Sequence, residues 1–252
     1  MTFHQPAAHH PFFIDGPERP GRWVVVCDHA TNAVPANFGA PDLGLPAGEM
    51  ARHIAYDVGA AGLSLMLAKR LDSPALLSNF SRLLIDPNRG EDDPTLLMKL
   101  YDGTIVPANR HAGNAERERR LDSFYRPYHT ALADMIARHR DPVILSIHSF
   151  TPQLAGRDPR PWHIGLLYGE DARLALPLLD RLRRESDLCI GANEPYSGHL
   201  PGDTIDRHAI ANGLANVLIE IRNDLIATEV QQRAWADRLA PILQDTLIST
   251  KL

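Results

Sequence analysis

The stretch Trp23-Val-Val-Val-Cys-Asp-His29 carries the clearest structural signal in this chain. Five apolar residues, three of them β-branched, run without interruption and stop at two polar side chains. A continuous apolar run of this length is typical of a strand that is buried on both faces, as in a parallel sheet. We therefore predict a central strand over 23–27, with Asp28 and His29 at its carboxyl end.

Strands and helices are predicted to alternate along the rest of the chain. Apolar runs predict further strands over 75–79, 82–85, 142–147, 162–168, 188–193 and 216–221. Apolar residues at helical spacing predict helices over 48–71, 115–139, 171–186, 204–212 and 224–246. Such alternation predicts an α/β fold in which helices cover both faces of a mostly parallel sheet.

Composition restricts the classes of function. We expect the 252 residues to form one α/β domain, 1–252, with an irregular, Pro- and His-rich segment over 1–22. A formal net charge of −5 argues against a nucleic-acid partner. With no signal-peptide pattern and no membrane-length apolar run, we expect a cytoplasmic protein without a membrane partner. Cys27 and Cys189 lie in apolar stretches, which predicts two buried thiols.

Reactive side chains follow or end three of the predicted strands. His29 follows the first strand, His148 follows the strand over 142–147, and Glu220 lies near the end of the strand over 216–221. Ligands bind beyond the carboxyl ends of parallel strands, so we expect these groups to converge. Two imidazoles and a carboxylate suit a divalent metal, zinc first, and a separate carboxylate is needed to take and return protons.

The sequence pattern identifies the third metal ligand less clearly than the two histidines. Asp57 is one candidate, and Asp28, Asn32 and Glu49 are its rivals. A carboxylate suits a divalent ion better than an amide because it neutralises charge. The alternative for Asp57 is a solvated carboxylate or a helix cap.

Six ordered motifs resemble the N-formylglutamate amidohydrolase family. They are VVVCDHATNAVP (24–35), SRLLIDPNRG (81–90), RERRLDSFYRPYHTAL (117–132), ILSIHSF (144–150), NEPYSG (193–198) and VLIEIRNDLI (217–226). The opening motif has His-Ala-Thr-Asn where the formylglutamate deformylases have His-Ser-Gly, which is typical of the family's more divergent members.

This resemblance implies a three-layer α/β/α fold of the phosphorylase/hydrolase-like type, akin to zinc carboxypeptidases. It implies hydrolysis of the amide of an N-acyl amino acid such as N-formylglutamate by metal-activated water. By this resemblance His29, Asp57 and His148 are the metal ligands and Glu220 is the general base. In carboxypeptidase-like relatives an acid stands three residues after the first His; here that position is Asn32, so Asp57 fits the spacing of the amidases better.

Arginines are the expected partners of a substrate carboxylate, because the guanidinium fork binds it with two hydrogen bonds. Arg82, Arg89 and Arg222 are candidates for substrate binding or for stabilising the transition state, with Arg222 assigned to catalysis. The alternatives are structural ion pairs, Arg89 with Asp86 and Arg222 with Asp224. Remaining candidates for substrate contacts are Asn32, Asn88 and Ser149.

Two other functions remain open at this point. One is a zinc amidase or peptidase that acts on a peptide or a cell-wall fragment, and the other is a binding module that has lost turnover. A serine hydrolase is set aside, because the Gly-x-Ser-x-Gly pattern is absent. The expected partner is a small acyl-amino acid, and a homo-oligomer is compatible with the sequence.

Overall fold

A seven-stranded sheet lies at the centre of the computed structural model, which describes residues 9–38, 41–198 and 200–252. The strands of the described residues are β1 (Phe12–Asp15), β2 (Trp23–Cys27), β3 (Ala75–Ser78), β4 (Leu100–Tyr101), β5 (Thr104–Ile105), β6 (Val143–Phe150), β7 (Ile164–Leu167), β8 (Ile190–Ala192) and β9 (Asn216–Arg222). β4 and β5 form a separate hairpin. The other seven strands form the sheet in the order β1-β3-β2-β6-β9-β7-β8.

The centre of the sheet is parallel. β3, β2, β6 and β9 run in one direction, whereas β1 is antiparallel to β3 and β7 is antiparallel to β9. β8 at the far edge is parallel to β7. The carboxyl ends of β2, β6 and β9 therefore meet at one edge, and the predicted α/β class with a mostly parallel sheet is confirmed.

Helices cover both faces of this sheet. The α-helices of the described residues are α1 (Ala47–Met50), α2 (Ala60–Arg70), α3 (Pro107–Arg110), α4 (Asn114–Arg120), α5 (Arg126–Arg138), α6 (Ala175–Leu182), α7 (Thr204–His208) and α8 (Glu229–Thr250). Successive residues of β2 point to opposite faces. Val25 and Cys27 pack in an apolar cluster with α2, α6 and α8, and Val24 and Val26 pack in a second cluster with α5. The result is three layers.

The predicted helix over 48–71 is wrong in its middle. α1 ends at Met50, α2 begins at Ala60, and the chain between them turns. Gly59 has a left-handed φ of 81°, and a Cβ added there would lie only 2.1 Å from the carbonyl oxygen of Ile226. The close approach of the segment between β9 and α8 thus requires the break, and the turn rather than a helix carries Asp57.

Three further predictions of local structure are wrong. Residues 82–85 form a turn instead of a strand, closed by the amide of Leu84 donating to the carbonyl of Ser81 at 2.9 Å. The segment over 1–22 is not wholly irregular, because β1 extends the sheet beside β3; its residues 1–8 lie outside the described part. Cys189 is exposed because it precedes the edge strand β8, whereas Cys27 is buried as predicted.

The segment over 91–114 carries the β4–β5 hairpin and α3. After it, α4 and α5 are joined by one π-helical stretch, Leu121–Tyr125, into a nearly continuous helical segment. Among the described helices, none combines the length and the apolar character that a membrane span requires.

Candidate active site

The three side chains predicted at the strand ends lie together at the carboxyl edge of the sheet. His29 follows β2, while His148 and Glu220 lie within β6 and β9. His148 and Glu220 are paired in register, so their side chains leave the sheet on the same face. The rings of His29 and His148 have centroids 4.9 Å apart. All three side chains are buried, and they line the same cavity.

Asp57 joins the two histidines from the turn before α2. Its Oδ2 lies 3.3 Å from Nδ1 of His29 and 2.9 Å from Nδ1 of His148. The backbone amide of Asp57 donates to the carbonyl of His29 at 2.9 Å, and the amide of Ser149 donates to the same Oδ2 at 3.2 Å. One ligand atom from each member of this His29–Asp57–His148 triad lies within 4.8 Å of the others.

The other candidates for the third ligand are engaged elsewhere. The amide nitrogen of Asn32 donates to the carbonyl of Met50 at 2.8 Å. Glu49 pairs with Arg52 at 2.5 Å. Asp28 contacts the far side of the His148 ring, away from Asp57.

Two buried carboxylates hold the imidazoles from behind. Nε2 of His29 lies 2.7 Å from Oδ1 of Asp86, and Nε2 of His148 lies 3.2 Å from Oδ2 of Asp28. Burial opposes ionisation of both carboxyl groups, but the hydrogen bond with His148 lowers the pKa of Asp28 to about 2. The charge of Arg82 likewise holds the pKa of Asp86 well below its usual value. Because a carboxylate only accepts hydrogen bonds, each Nε2 carries the proton.

When both rings are neutral, a proton at Nε2 leaves the Nδ1 lone pair of each ring directed toward Asp57. In a neutral imidazole protonated at Nε2, Nδ1 is an acceptor, and the carboxylate of Asp57 is an acceptor as well. Three acceptors so close together repel each other unless a cation lies between them. Histidines whose second nitrogen donates to a carboxylate are the common arrangement in metal sites. The donor set therefore fits a divalent metal.

The pKa of His148 also shows that this point of the molecule favours positive charge. Burial lowers the pKa of the ring, but hydrogen bonds with Asp28 and Asp57 on its two sides hold the pKa well above its usual value. A proton on Nδ1 and a metal ion at Nδ1 satisfy the same demand, so the two compete for one position.

Glu220 has a buried carboxyl oxygen without a hydrogen-bond partner. Among the described residues, no group bonds to its buried Oε2. Burial raises the pKa of Glu220 to about 7, against the charges of the nearby histidines. A buried, unbonded carboxyl oxygen that faces a cavity is suited to bind water or substrate. A group with a pKa near neutrality can both accept and return a proton.

The two predicted arginines in the cavity differ in their partners. Arg82 is buried and pairs with Asp86 at 2.8 Å and with Asp57 at 3.5 Å. Arg89 donates to the carbonyl of Asn88 at 2.7 Å and to Thr95 Oγ1 at 3.3 Å. No carboxylate of the described residues lies within ion-pair distance of Arg89, so its guanidinium is available to a ligand.

Arg222 and Asn32 lie outside the cavity lining of the described residues. The guanidinium of Arg222 pairs with Asp224 at 2.8 Å and also faces the carbonyls of Arg160 and Trp162. Arg222 lies two residues after Glu220 on the same strand, yet its side chain does not reach the site. The guanidinium is held instead by Asp224 and the neighbouring backbone carbonyls. Asn88 and Ser149 do line the cavity.

The cavity itself has a volume of about 470 Å³ and two kinds of wall. Its polar lining includes the triad, Glu220, Arg82, Arg89 and Asn88. Its apolar lining comes largely from β7, β9 and residues 195–210 and includes Leu167, Leu218, Pro195, Tyr196, Ile205 and Ile210.

Several supporting residues have no signal in the sequence pattern. The hydroxyls of Tyr128 and Thr204 donate to Asp28 at 2.8 Å and 2.6 Å, although these residues lie 100 and 176 positions away along the chain. Asp28 is a candidate ligand by its position at the end of β2, whereas the only signal for Asp86 and Tyr128 is that they stand within the recognised motifs.

Comparison with known proteins identifies the family of the chain. A family model described as N-formylglutamate amidohydrolase matches residues 21–227. The crystal structure of a gene product from Agrobacterium tumefaciens is 33% identical, with all of both chains covered and a TM-score of 0.92. The N-formylglutamate amidohydrolase from Ralstonia eutropha JMP134 is 24% identical and shares the fold, with 95% of this chain and 99% of that chain covered and a TM-score of 0.70. No curated protein matches the sequence. The chain belongs to the N-formylglutamate amidohydrolase family, whose members are hydrolases that act on an amide.

Proposed function

We propose that this protein is a metal-dependent hydrolase that cleaves the amide bond of an N-acyl amino acid, of which N-formylglutamate is the example that gives the family its name. One observation carries the proposal. Two buried imidazoles, each held by a carboxylate at Nε2, direct their Nδ1 atoms at a third carboxylate beside an unbonded glutamate.

His29, Asp57 and His148 are the residues that would hold the metal, with Asp86 and Asp28 fixing the tautomers of the two rings. Zinc suits this set of two nitrogens and one oxygen. When bound, the metal supplies Lewis acidity, which activates water and polarises the acyl oxygen.

Glu220 is the proposed general base. Glu220 lines the cavity beside His148, and its carboxylate takes a proton from the attacking water. The oxygen of that water becomes bonded to the acyl carbon and the carbon–nitrogen bond breaks. Glu220 returns the proton to the leaving nitrogen, so that a free carboxylic acid and a free amine result.

Arg89 is the proposed partner of the substrate carboxylate, since no described acid neutralises it. Asn88 lies beside it in the cavity wall. Arg82 has a different role: its two carboxylate partners hold it in place, so it orients Asp57 and Asp86. Ser149 likewise acts on Asp57, because its amide donates to that carboxylate and its hydroxyl donates to the carbonyl of Val58.

The test begins with the metal content of the purified protein and with release of formate from a panel of N-formyl amino acids. We expect about one zinc per chain and activity that a chelator abolishes and added zinc restores. His29→Ala should lose both metal and activity, whereas Glu220→Gln should keep the metal and lose activity by about 10²–10⁴-fold.

A matched control is His129→Gln, because His129 is buried but does not line the cavity. It should keep both metal and activity. Arg89→Met should raise KM for substrates with a carboxylate and leave metal content unchanged. Full activity of Glu220→Gln, or activity that survives complete removal of metal, would show that the proposal is wrong.

A further inference from the structure

The apolar wall of the cavity begins next to the general base. Leu218 precedes Glu220 by two residues on β9, so both side chains leave the same face of the sheet. Leu167 on β7 pairs in register with Leu218, which sets the two leucines side by side. Ile205 on α7 joins the same apolar cluster, and all three side chains are about 7% exposed.

This wall continues toward the cavity mouth. Ile210 and Tyr196 pack against the cluster that contains Leu167 and Leu218, and both line the cavity. Residues two apart on a strand have Cα atoms about 7 Å apart, so the wall starts within one side-chain length of Glu220. An apolar group of four to seven carbons, close to the amide that is cleaved, would reach it.

Positive charge in the cavity is scarce. Arg82 is neutralised by Asp86 and Asp57, and among the described lining residues Arg89 is the only arginine or lysine without a carboxylate partner. The remaining lining histidine outside the triad, His53, has a pKa lowered by burial and is neutral near pH 7. Among the described lining residues, one carboxylate of a substrate therefore finds a cation, and a second one does not.

A second carboxylate would also meet unfavourable surroundings. Against Leu167, Leu218, Ile205 and Ile210 it would lose water without gaining a hydrogen bond or an opposite charge from these side chains.

Building on the proposed function, we infer that the preferred substrate of this site is an N-acyl amino acid with a single carboxylate and one apolar group of about the size of a leucine or phenylalanine side chain. A dicarboxylate such as N-formylglutamate is a poor substrate. Arg89 binds the single carboxylate, and the wall of Leu167, Leu218, Ile205 and Ile210 binds the apolar group.

The apolar group can belong to the amino acid or to the acyl chain, and a substrate panel separates these sources. We would measure kcat/KM for N-formyl-leucine, N-formyl-glutamine, N-formyl-glutamate and N-hexanoyl-glycine. N-formyl-glutamine matches N-formyl-glutamate in size without its charge. We expect either N-formyl-leucine or N-hexanoyl-glycine to exceed N-formyl-glutamate by about tenfold or more, with N-formyl-glutamine between them. Equal or faster turnover of N-formyl-glutamate would overturn the inference.

A substitution in the wall gives a second test. Ile210 is partly exposed, so Ile210→Arg adds a cation to the cavity at little risk to folding. It should shift the ratio of kcat/KM for N-formyl-glutamate over N-formyl-leucine upward by about tenfold. Ile105→Arg is the control, because Ile105 is exposed on the β4–β5 hairpin outside the cavity lining. An unchanged ratio in Ile210→Arg would contradict the role of the wall.

A binding measurement distinguishes failure of this inference from failure of the proposed function. If no N-acyl amino acid is hydrolysed, the proposed function is wrong, but calorimetric binding of free leucine and free glutamate to the zinc-loaded protein still reports on the cavity. Tighter binding of leucine supports the apolar subsite. Tighter binding of glutamate overturns it, whatever the outcome of the activity assay.

Discussion

At the scale of single residues, the site depends on groups that lie behind the candidate ligands. Asp28 and Asp86 fix which nitrogen of each imidazole carries the proton, and thereby which nitrogen faces Asp57. Asp28 is held in turn by the hydroxyls of Tyr128 and Thr204. The metal affinity of the triad should therefore depend on residues that never touch the metal.

The variant Asp28→Asn tests this dependence. An amide oxygen is a weaker acceptor for the Nε2–H of His148, and the amide can also donate to Nε2 and so favour the other tautomer. We expect zinc affinity to fall by about 10–100-fold while the fold is kept. The measurement is zinc binding in competition with a chromogenic chelator.

Tyr128→Phe is the matched control, because it removes one hydrogen bond to Asp28 but leaves the carboxylate in place. Its zinc affinity should fall by less than that of Asp28→Asn. Zinc affinity of Asp28→Asn equal to that of the parent would show that Asp28 does not orient His148.

At the scale of elements, the turn between α1 and α2 determines where Asp57 lies. Gly59 ends this turn with a left-handed φ of 81° and packs against the backbone of Ile226. The turn is also held by the backbone bond from Asp57 to His29. A side chain at position 59 would act on the site through this turn.

We expect Gly59→Ala to destabilise the protein by about 2–4 kcal/mol, since left-handed strain adds to a clash that requires the backbone to shift. The free energy of unfolding in urea gives the value. Zinc affinity should fall as well, because Asp57 moves. Gly213→Ala is the control: its φ of 66° carries similar strain, but nothing lies within 4 Å of an added Cβ. We expect a cost of about 1 kcal/mol there, and equal costs at the two positions would refute the clash.

The turn before α2 could not be predicted from the sequence, whereas the central strands could. The strands predicted over 23–27, 142–147 and 216–221 correspond to β2, β6 and β9, because a strand buried on both faces carries a continuous apolar run. Their strand ends led to His29, His148 and Glu220. The break before α2 is not predictable in this way, because Ile54 continues the helical period and the cause of the break, contact with Ile226, is distant in sequence.

The direction of a side chain beyond a strand end likewise cannot be predicted from hydrophobic periodicity. Arg222 has the residue type and the strand position of a substrate-binding group, yet its guanidinium pairs with Asp224. Arg89 has weaker positional support, yet it faces the cavity without an acidic partner among the described residues. Which arginine remains unpaired depends on tertiary contacts.

At the scale of the whole molecule, a buried histidine pair connects two elements on one side of the sheet. Nδ1 of His129 on α5 lies 2.9 Å from Nε2 of His208 on α7, and Nε2 of His129 lies 3.0 Å from the carbonyl of Pro87. Burial lowers the pKa of His129 to about 3 and that of His208 to about 4, with the charge of Arg207 adding to the effect. Both rings are therefore neutral in the folded protein at pH 5.

This pair should make folding sensitive to acid. In the unfolded chain both histidines take up protons below about pH 6.5, whereas in the folded protein they do so only near pH 3–4, so stability is lost as pH falls. Each group contributes at most about 1.4 kcal/mol per pH unit in that window. We expect the His129→Gln/His208→Gln double variant to lose about 2–4 kcal/mol less than the parent between pH 6.5 and pH 5.

Urea unfolding of both proteins at the two pH values measures this difference. Comparing the parent with the variant removes the contributions of the metal-site groups, which both proteins share. His139→Gln is the control, because His139 is only partly buried. Equal losses in the parent and the double variant would mean that the pair does not couple folding to protonation.

The apolar wall and the triad come from different stretches of the chain. Residues 164–212 supply Leu167, Tyr196, Ile205 and Ile210, while the histidines and Asp57 of the triad all precede residue 150. β9 contributes to the wall through Leu218 and carries the proposed general base, Glu220. The apolar wall and the candidate metal ligands thus lie in separate segments of the chain. Exchange of residues 164–212 between relatives, by evolution or by design, can therefore change substrate preference. Such an exchange leaves the triad in place.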